Sequence, residues 1–383
     1  MPISLAMLTQ LVTFDISYNN SISGFIPKEV GNLKSLLKLY LGANAFIGPI
    51  PTPIFLLTNL TYLSVQNNQL NNSIPKELGN LKNLHKLDLA NNTYFIGPIS
   101  TTISLFTNLT YLSVQYNRLT GELPHSLANL TQLEIFDFSY NFISGLIPKA
   151  LGNLKYLSCF DLQENNLTGP LPSSLGQLTN LISLYLSSNQ INGFILLEIG
   201  NMTILSELYL NNNNIVGRIS LIIGHISNLR KLDLSWNQIN GPIPIEIANC
   251  TSLEYLNLSH NHLTGSTPFD NKNNLSTLTI NLSYNSLKGN VMLSLIYLMD
   301  FNLSYNSLEG QIPKIYKYYG FHRFIGNKDL CGDIKDFVPC PPSPTTMCHV
   351  KIWVPLSLFF FCAFTSWVYP SRKKWGLVLN MEL

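Results

Sequence analysis

The sequence predicts an α/β solenoid, a stack of short coils that share one core and contribute one parallel strand each, with a single membrane-spanning helix near the C-terminus. Two observations predict the solenoid and a third predicts the helix. The string Leu-x-x-Leu-x-Leu-x-x-Asn recurs at a spacing of 24 or 25 residues, and self-similarity at such a period marks stacked repeats. A second signature with Gly and Pro at fixed offsets follows it, as in Leu119-Thr120-Gly121-Glu122-Leu123-Pro124 and Ile239-Asn240-Gly241-Pro242-Ile243-Pro244. The 18 residues from Ile352 to Tyr369 carry no charge and are followed closely by Arg372, Lys373 and Lys374.

Thirteen copies of the first string can be counted, ending on Asn19, Asn44, Asn68, Asn92, Asn117, Asn141, Asn165, Asn189, Asn213, Asn237, Asn261, Asn285 and Asn306, the last interval shortened to 21. In Leu84-x-x-Leu87-x-Leu89-x-x-Asn92 the alternation reads as a short strand whose leucines face inward while Lys86, Asp88 and Ala90 face outward. Each Asn falls at the bend leaving the strand, where a buried amide can bond unpaired backbone groups of its own and neighbouring coils. Beyond it, Gly permits a turn and Pro removes a donor, so the chain returns across the convex face without a long helix. A turn such as Leu151-Gly152-Asn153-Leu154 completes the coil. No coil covers its own leucines, so stability comes from stacking neighbours.

These residues resemble the plant-specific leucine-rich-repeat class, with the repeat Leu-x-x-Leu-x-Leu-x-x-Asn-x-Leu-x-Gly-x-Ile-Pro covering roughly residues 8 to 315. The resemblance implies a right-handed superhelix with its strands on the concave side. It also implies one of three functions: receptor-like kinase, receptor-like protein, or secreted inhibitor of wall-degrading enzymes. Phe324-Ile325-Gly326-Asn327-Lys328-Asp329-Leu330-Cys331-Gly332, followed by Cys340, is similar to the C-terminal cap of plant receptor ectodomains. That likeness implies a Cys331–Cys340 disulfide over the exposed end of the core. A metal pair is the other reading, but two cysteines without further ligands make a poor zinc site. The expected segments are an N-terminal end (1–10), the solenoid (11–323), the cap (324–340), a juxtamembrane spacer (341–351), the membrane helix (352–369) and a short cytoplasmic tail (370–383).

The uncharged stretch just suffices to span a bilayer, which needs about 17–25 residues. Trp353, Trp367 and Tyr369 lie near its ends like an interfacial belt, and the basic cluster places the tail in the cytosol. The topology is type I, at the plasma membrane, with the repeats outside. Pro355, Ser357, Thr365 and Ser366 weaken this signal, so a hydrophobic tail docked on protein stands as the alternative. Residues 1–10 show neither a signal peptide nor a cysteine-paired cap, and no kinase motif appears anywhere. The expectation is a chain truncated at its N-terminus and before a kinase domain, and not itself an enzyme. The cap, spacer and Lys351-Ile352-Trp353-Val354-Pro355 helix most resemble the male-discoverer-interacting receptor-like kinase group, whose full-length members carry a Ser/Thr kinase. That likeness implies an extracellular peptide or protein ligand and a co-receptor kinase as partners.

Composition narrows the partner further. A formal net charge of +2 and a charged fraction of 11% give no support to nucleic-acid binding, which needs clustered Lys and Arg. No cofactor is expected. Asn-x-Ser/Thr acceptors at Asn59, Asn71, Asn108, Asn129, Asn166, Asn201, Asn249 and Asn274 suit a glycosylated extracellular surface, although an Asn-rich repeat also generates such triplets by chance. Outward strand positions of adjacent coils are only about 4.7–4.9 Å apart, so they form columns. Lys86 with Asp88 and Lys231 with Asp233 read as same-strand ion pairs, a repeat default. Departures concentrate in coils seven to nine: Asp161, Gln163 and Glu164, then Tyr185, then Glu207 and Tyr209. With Asp137 and Asp233 they predict an acidic floor bearing an aromatic pair, suited to an extended peptide with basic groups and apolar anchors. Ordinary solvated strand residues are the competing reading. His260 and His262 read as surface residues, Cys159 as a concave thiol, and Cys250 as turn packing.

Overall fold

The computed structural model describes residues 7–92, 94–268, 278–334 and 337–341. By contacts the chain divides into two units. The first, Met1–Pro339, holds all the regular structure described below, and of the second, Cys340–Leu383, only residues 340 and 341 are described.

Each coil opens with a three-residue strand, from Thr13–Asp15 and Lys38–Tyr40 to Asp300–Asn302, and these thirteen strands form one parallel sheet in coil order. Alternation sets its two faces. The middle residue of each strand, Leu87, Phe136, Phe160 or Leu232 for example, is buried, while its neighbours face away from the core. One hydrophobic core runs the whole length, from Phe14 to Ile334.

The asparagines seal the corner after the strand. Asn189 Nδ2 donates to the carbonyl of Leu162 in the preceding coil at 2.9 Å and to its own coil at Leu186 and Ser187, while its Oδ1 accepts the Leu167 N–H at 2.9 Å. One amide thus satisfies backbone groups of two coils that the core would otherwise leave unpaired. Asn327 does the same, donating to Leu303 and Phe324 and accepting from Leu308 N–H at 3.0 Å. It is a fourteenth rung, so the segment assigned to a separate cap begins as one more coil. Its 21-residue step repeats the shortened step before it.

Two features shape the coil's return, of which the first was not expected from the sequence. After the Asn, the chain forms a second parallel sheet of eleven strands, from Ser23–Phe25 to His262–Thr264. In its strand Asn214–Gly217, the glycine adopts a φ of +84°, and an added Cβ would strike the Phe194 ring laid over it from the coil before. Every described helix is a 3-10 helix, in keeping with a return that needs no long helix. Lys149–Asn153 shows why: Pro148 is extended, and only five residues separate it from Leu154. At about three residues per turn and 2 Å rise, a 3-10 helix fits that space. Gly152 lets the next coil close in, since a Cβ there would collide with the Ser174 carbonyl.

No helix among the described residues is long and apolar enough to cross a membrane. The expected span, Ile352 to Tyr369, lies outside the described residues, as do the cytoplasmic tail and Asn274. Cys331 and Cys340 are both disulfide-bonded.

Candidate ligand-binding surface

Four residues before the ladder Asn, most coils of the concave sheet share a hydrogen-bonding device. Asp137 Oδ1 accepts Ser139 N–H at 3.1 Å, Asp161 Oδ1 accepts Gln163 N–H at 3.0 Å, and Asp233 Oδ1 accepts Ser235 N–H at 3.0 Å. Asn257, Asn281 and Asn302 do the same for Ser259, Ser283 and Ser304. An Asx side chain at this position therefore caps the backbone N–H two residues on, at the strand's exit. The acidic residues are first of all structural.

Tyr185 and Tyr209 interrupt that device in the middle of the sheet. Cross-strand register places Asp137 beside Asp161, Asp161 beside Tyr185, Tyr185 beside Tyr209 and Tyr209 beside Asp233. Five strands thus present one row with an aromatic pair between carboxylates. The two rings lie 5.4 Å apart at 50°. Glu207 stands in the next column, where Tyr185 OH donates to it and Lys231 Nζ pairs with it at 2.9 Å. Lys231 reaches across to this neighbouring strand, where the sequence suggested same-strand Asp233. Lys86 and Asp88 do pair, at 3.6 Å. Glu164 is at the bend beyond the strand, exposed, with a φ of +53°, and so stands outside the row.

The charges are unequal. Burial pushes Asp161 up to about 7, opposed by the Gln163 N–H bond and reinforced by Asp137, whose own carboxyl burial also raises. Neither pairs with a Lys or Arg among the described residues. For Glu207, burial opposes ionisation, but the bonds from Tyr185 and Lys231 outweigh it and its carboxyl sits below the ordinary range. Asp233 is 6% exposed and also receives Tyr255 OH at 3.2 Å and Asn257 Nδ2 at 3.1 Å. Asp137 and Asp161 accept bonds too, from Ser113 and Ser139 and from both nitrogens of Gln163 respectively, so what distinguishes them is the lack of a cation partner and not an empty oxygen. Cys159 lies between Ile135 and Ser183 in the adjoining column, a free thiol that burial pushes up to about 12. Cys250 is buried against the Ile223 carbonyl at 3.3 Å.

A further column was missed in the sequence. The residue just before each of the thirteen ladder asparagines from Asn19 to Asn306 adopts left-handed φ, from +51° at Asn91 to +59° at Tyr18. Its side chain therefore leaves the period-2 alternation and stands at the corner between the sheets. Trp236, His260, Tyr284 and Tyr305 stack there at successive spacings of 3.7, 4.2 and 4.3 Å, and Tyr116 stacks on Tyr140 at 4.0 Å. The readable signal was an aromatic residue directly before the ladder Asn. Of the eight sequons, Asn59, Asn108, Asn129, Asn166, Asn201 and Asn249 are exposed and Asn71 is half-buried.

Residues 126–309 match the family described as a leucine-rich repeat region, and residues 59–81 and 108–130 each match the leucine-rich repeat itself. The fold is a leucine-rich-repeat solenoid. Among solved structures, this solenoid is similar to the plant peptide hormone receptor RGFR1 in complex with RGF2, at 35% identity and a TM-score of 0.78 over 88% of this chain and 52% of that one. It is similar to a TDR receptor at 29% identity and 0.76, over 87% and 60%. The Arabidopsis receptor kinase HAESA ectodomain, in complex with an extended IDA peptide hormone, matches at 30% identity and 0.65, over 89% and 65%. HAESA with IDA and the co-receptor SERK1 matches equally well, at 30% and 0.65 over 88% and 65%. No curated protein sequence matches. The chain spans about half to two thirds of the length of these receptors, which are plant peptide-hormone receptor ectodomains.

Proposed function

We propose that this leucine-rich-repeat solenoid is the ligand-recognition part of a plant cell-surface receptor, reading an extracellular peptide laid across coils six to ten. The observation that carries this reading is the Tyr185–Tyr209 pair, which replaces the Asx device in two adjacent coils and stands beside the unpaired carboxylates of Asp137 and Asp161. An apolar residue of the peptide packs on the rings, and a basic group meets the two carboxylates. The likeness to receptors solved with RGF2 and IDA supports a peptide as the ligand. The HAESA complex with SERK1 supports a co-receptor kinase as the route of signalling.

The finer assignment, to the male-discoverer-interacting group with a type I anchor at Ile352 to Tyr369 and N-glycans on the exposed sequons, rests on the sequence. Calorimetric titration of synthetic basic peptides against the full chain tests the ligand site. Tyr185→Ala and Tyr209→Ala should each weaken binding about tenfold or more, the loss expected of an aromatic anchor; unchanged affinity removes the site. Membrane fractionation tests the anchor, and recovery in the soluble wall fraction would favour a secreted enzyme inhibitor on the same scaffold.

A further inference from the structure

The corner column places tyrosines of successive coils face to face at two points. Tyr116 and Tyr140 have ring centroids 4.0 Å apart and 8° between planes; Tyr284 and Tyr305 are 4.3 Å apart at 13°. All four are held there by left-handed backbone, with φ between +52° and +55°, so the stack is fixed by the coil and does not depend on a rotamer choice alone. Tyr116, Tyr284 and Tyr305 are 46%, 44% and 43% exposed, open to a reagent from solution.

The other neighbouring tyrosines lack this combination. Tyr185 and Tyr209 are tilted at 50°, and the Tyr185 hydroxyl is committed to Glu207. Tyr40 and Tyr62 are 6.4 Å apart, and Tyr316, beside Tyr319, is wholly buried.

We propose that Tyr116–Tyr140 and Tyr284–Tyr305 are sites of oxidative cross-linking, at which hydrogen peroxide acting through a haem peroxidase joins each pair as dityrosine. Each phenol gives up one electron and its hydroxyl proton, leaving two phenoxyl radicals. A carbon–carbon bond forms between ring positions ortho to the oxygens. The hydrogens on those two carbons then move to the oxygens as protons, restoring both rings. Peroxide accepts the two electrons and two protons and leaves as two waters. Each link therefore removes two hydrogens from the chain and ties one coil to the next, closing loops of 24 and 21 residues. Chain cross-links of that length restrict the unfolded ensemble, so a linked solenoid resists unravelling at coils five to six and twelve to thirteen. The pairs lie off the Tyr185–Tyr209 row, so the inference stands apart from the ligand reading.

The experiment treats the purified full chain, dilute and in detergent, with a haem peroxidase and hydrogen peroxide. Monomers should gain dityrosine emission and lose about 2 Da per link, the mass of two hydrogens. Trypsin should release residues 87–118 joined to 119–149, and 273–288 joined to 289–314. Tyr116→Phe keeps the stacked ring and should abolish only the first link, Tyr305→Phe only the second, and Tyr62→Phe neither. The urea-unfolded chain should lose the preference for these pairs. Coupling only between molecules, coupling scattered over other tyrosines, or links equally frequent in the unfolded chain would each overturn the proposal.

Discussion

Replacing Asp161 with Asn should stabilise the solenoid at pH 8 by about 2–4 kcal/mol and leave it nearly unchanged at pH 4. The carboxyl is 9% exposed, and burial raises it from 3.8 to about 7. One pKa unit corresponds to about 1.4 kcal/mol, which sets the upper figure; relaxation around the site sets the lower. The sign is opposite to that of a salt-bridged aspartate. Between pH 4 and 7 the folded chain holds a proton that the unfolded chain has lost, so stability falls as pH rises through that window. Asparagine has no proton to lose. Its Oδ1 still accepts the Gln163 N–H now bonded at 3.0 Å, so the capping function survives. The assay is the urea midpoint of the variant minus that of the wild type, measured at unit steps from pH 4 to 8. The difference should grow through the window and level off above pH 7. A difference that is flat or falls with pH would show that Asp161 titrates normally and that burial does not govern the row.

Further outcomes follow from the same geometry. A basic peptide should bind more tightly as pH rises through 7, where Asp161 ionises, and Asp161→Asn should flatten that profile in a titration series. Asn189→Ala leaves the Leu167 N–H unpaired in the core and should cost about 2–3 kcal/mol by denaturant unfolding. Asn19, exposed and bonded only within its own coil, should cost no more than about 1 kcal/mol; equal losses would contradict the two-coil account of the ladder. Gly152→Ala should lower the melting temperature, costing about 1–3 kcal/mol as the next coil is pushed away, and an unchanged transition would refute the close approach. Cys159 should react with maleimide at neutral pH far more slowly in the folded chain than in the unfolded one, because burial suppresses its thiolate; rapid labelling mapped to Cys159 would count against that.

The solenoid was legible because a single arithmetic fact, the period of Leu and Asn, dictates both the strand and its stacking. Leu87 and Leu89 had to face inward once Asn92 was placed at the bend. The second sheet was not legible from the same leucines. Its strands, such as Arg118–Glu122, form only because the ladder has already fixed the spacing of successive coils, and their Gly-Pro content argues against strand on propensity alone. That the return needs no long helix was legible, but the type of its short helix was not. The five residues between Pro148 and Leu154 leave room only for the tighter 3-10 turn.

The candidate site divides along the same line. That Tyr185 and Tyr209 are neighbours followed from the repeat interval alone, since residues 24 apart in register must meet. What the side chains do there did not follow. Asp233 looked like part of a charged floor, but its oxygens serve Ser235, Tyr255 and Asn257; Asp161 looked ionised, but its burial holds a proton near neutrality. A period fixes which column a residue occupies, whereas its charge depends on depth and on neighbours two coils away. The corner tyrosines make a related point: the repeat interval makes Tyr116 and Tyr140 neighbours, but left-handed backbone removes them from the alternation that assigns faces, so their face-to-face stacking does not follow from the period. In a repeat protein the ligand chemistry is therefore to be sought where the repeat is broken, and the Asx row breaks as an aromatic pair at Tyr185 and Tyr209 beside the carboxylates that lack a cation.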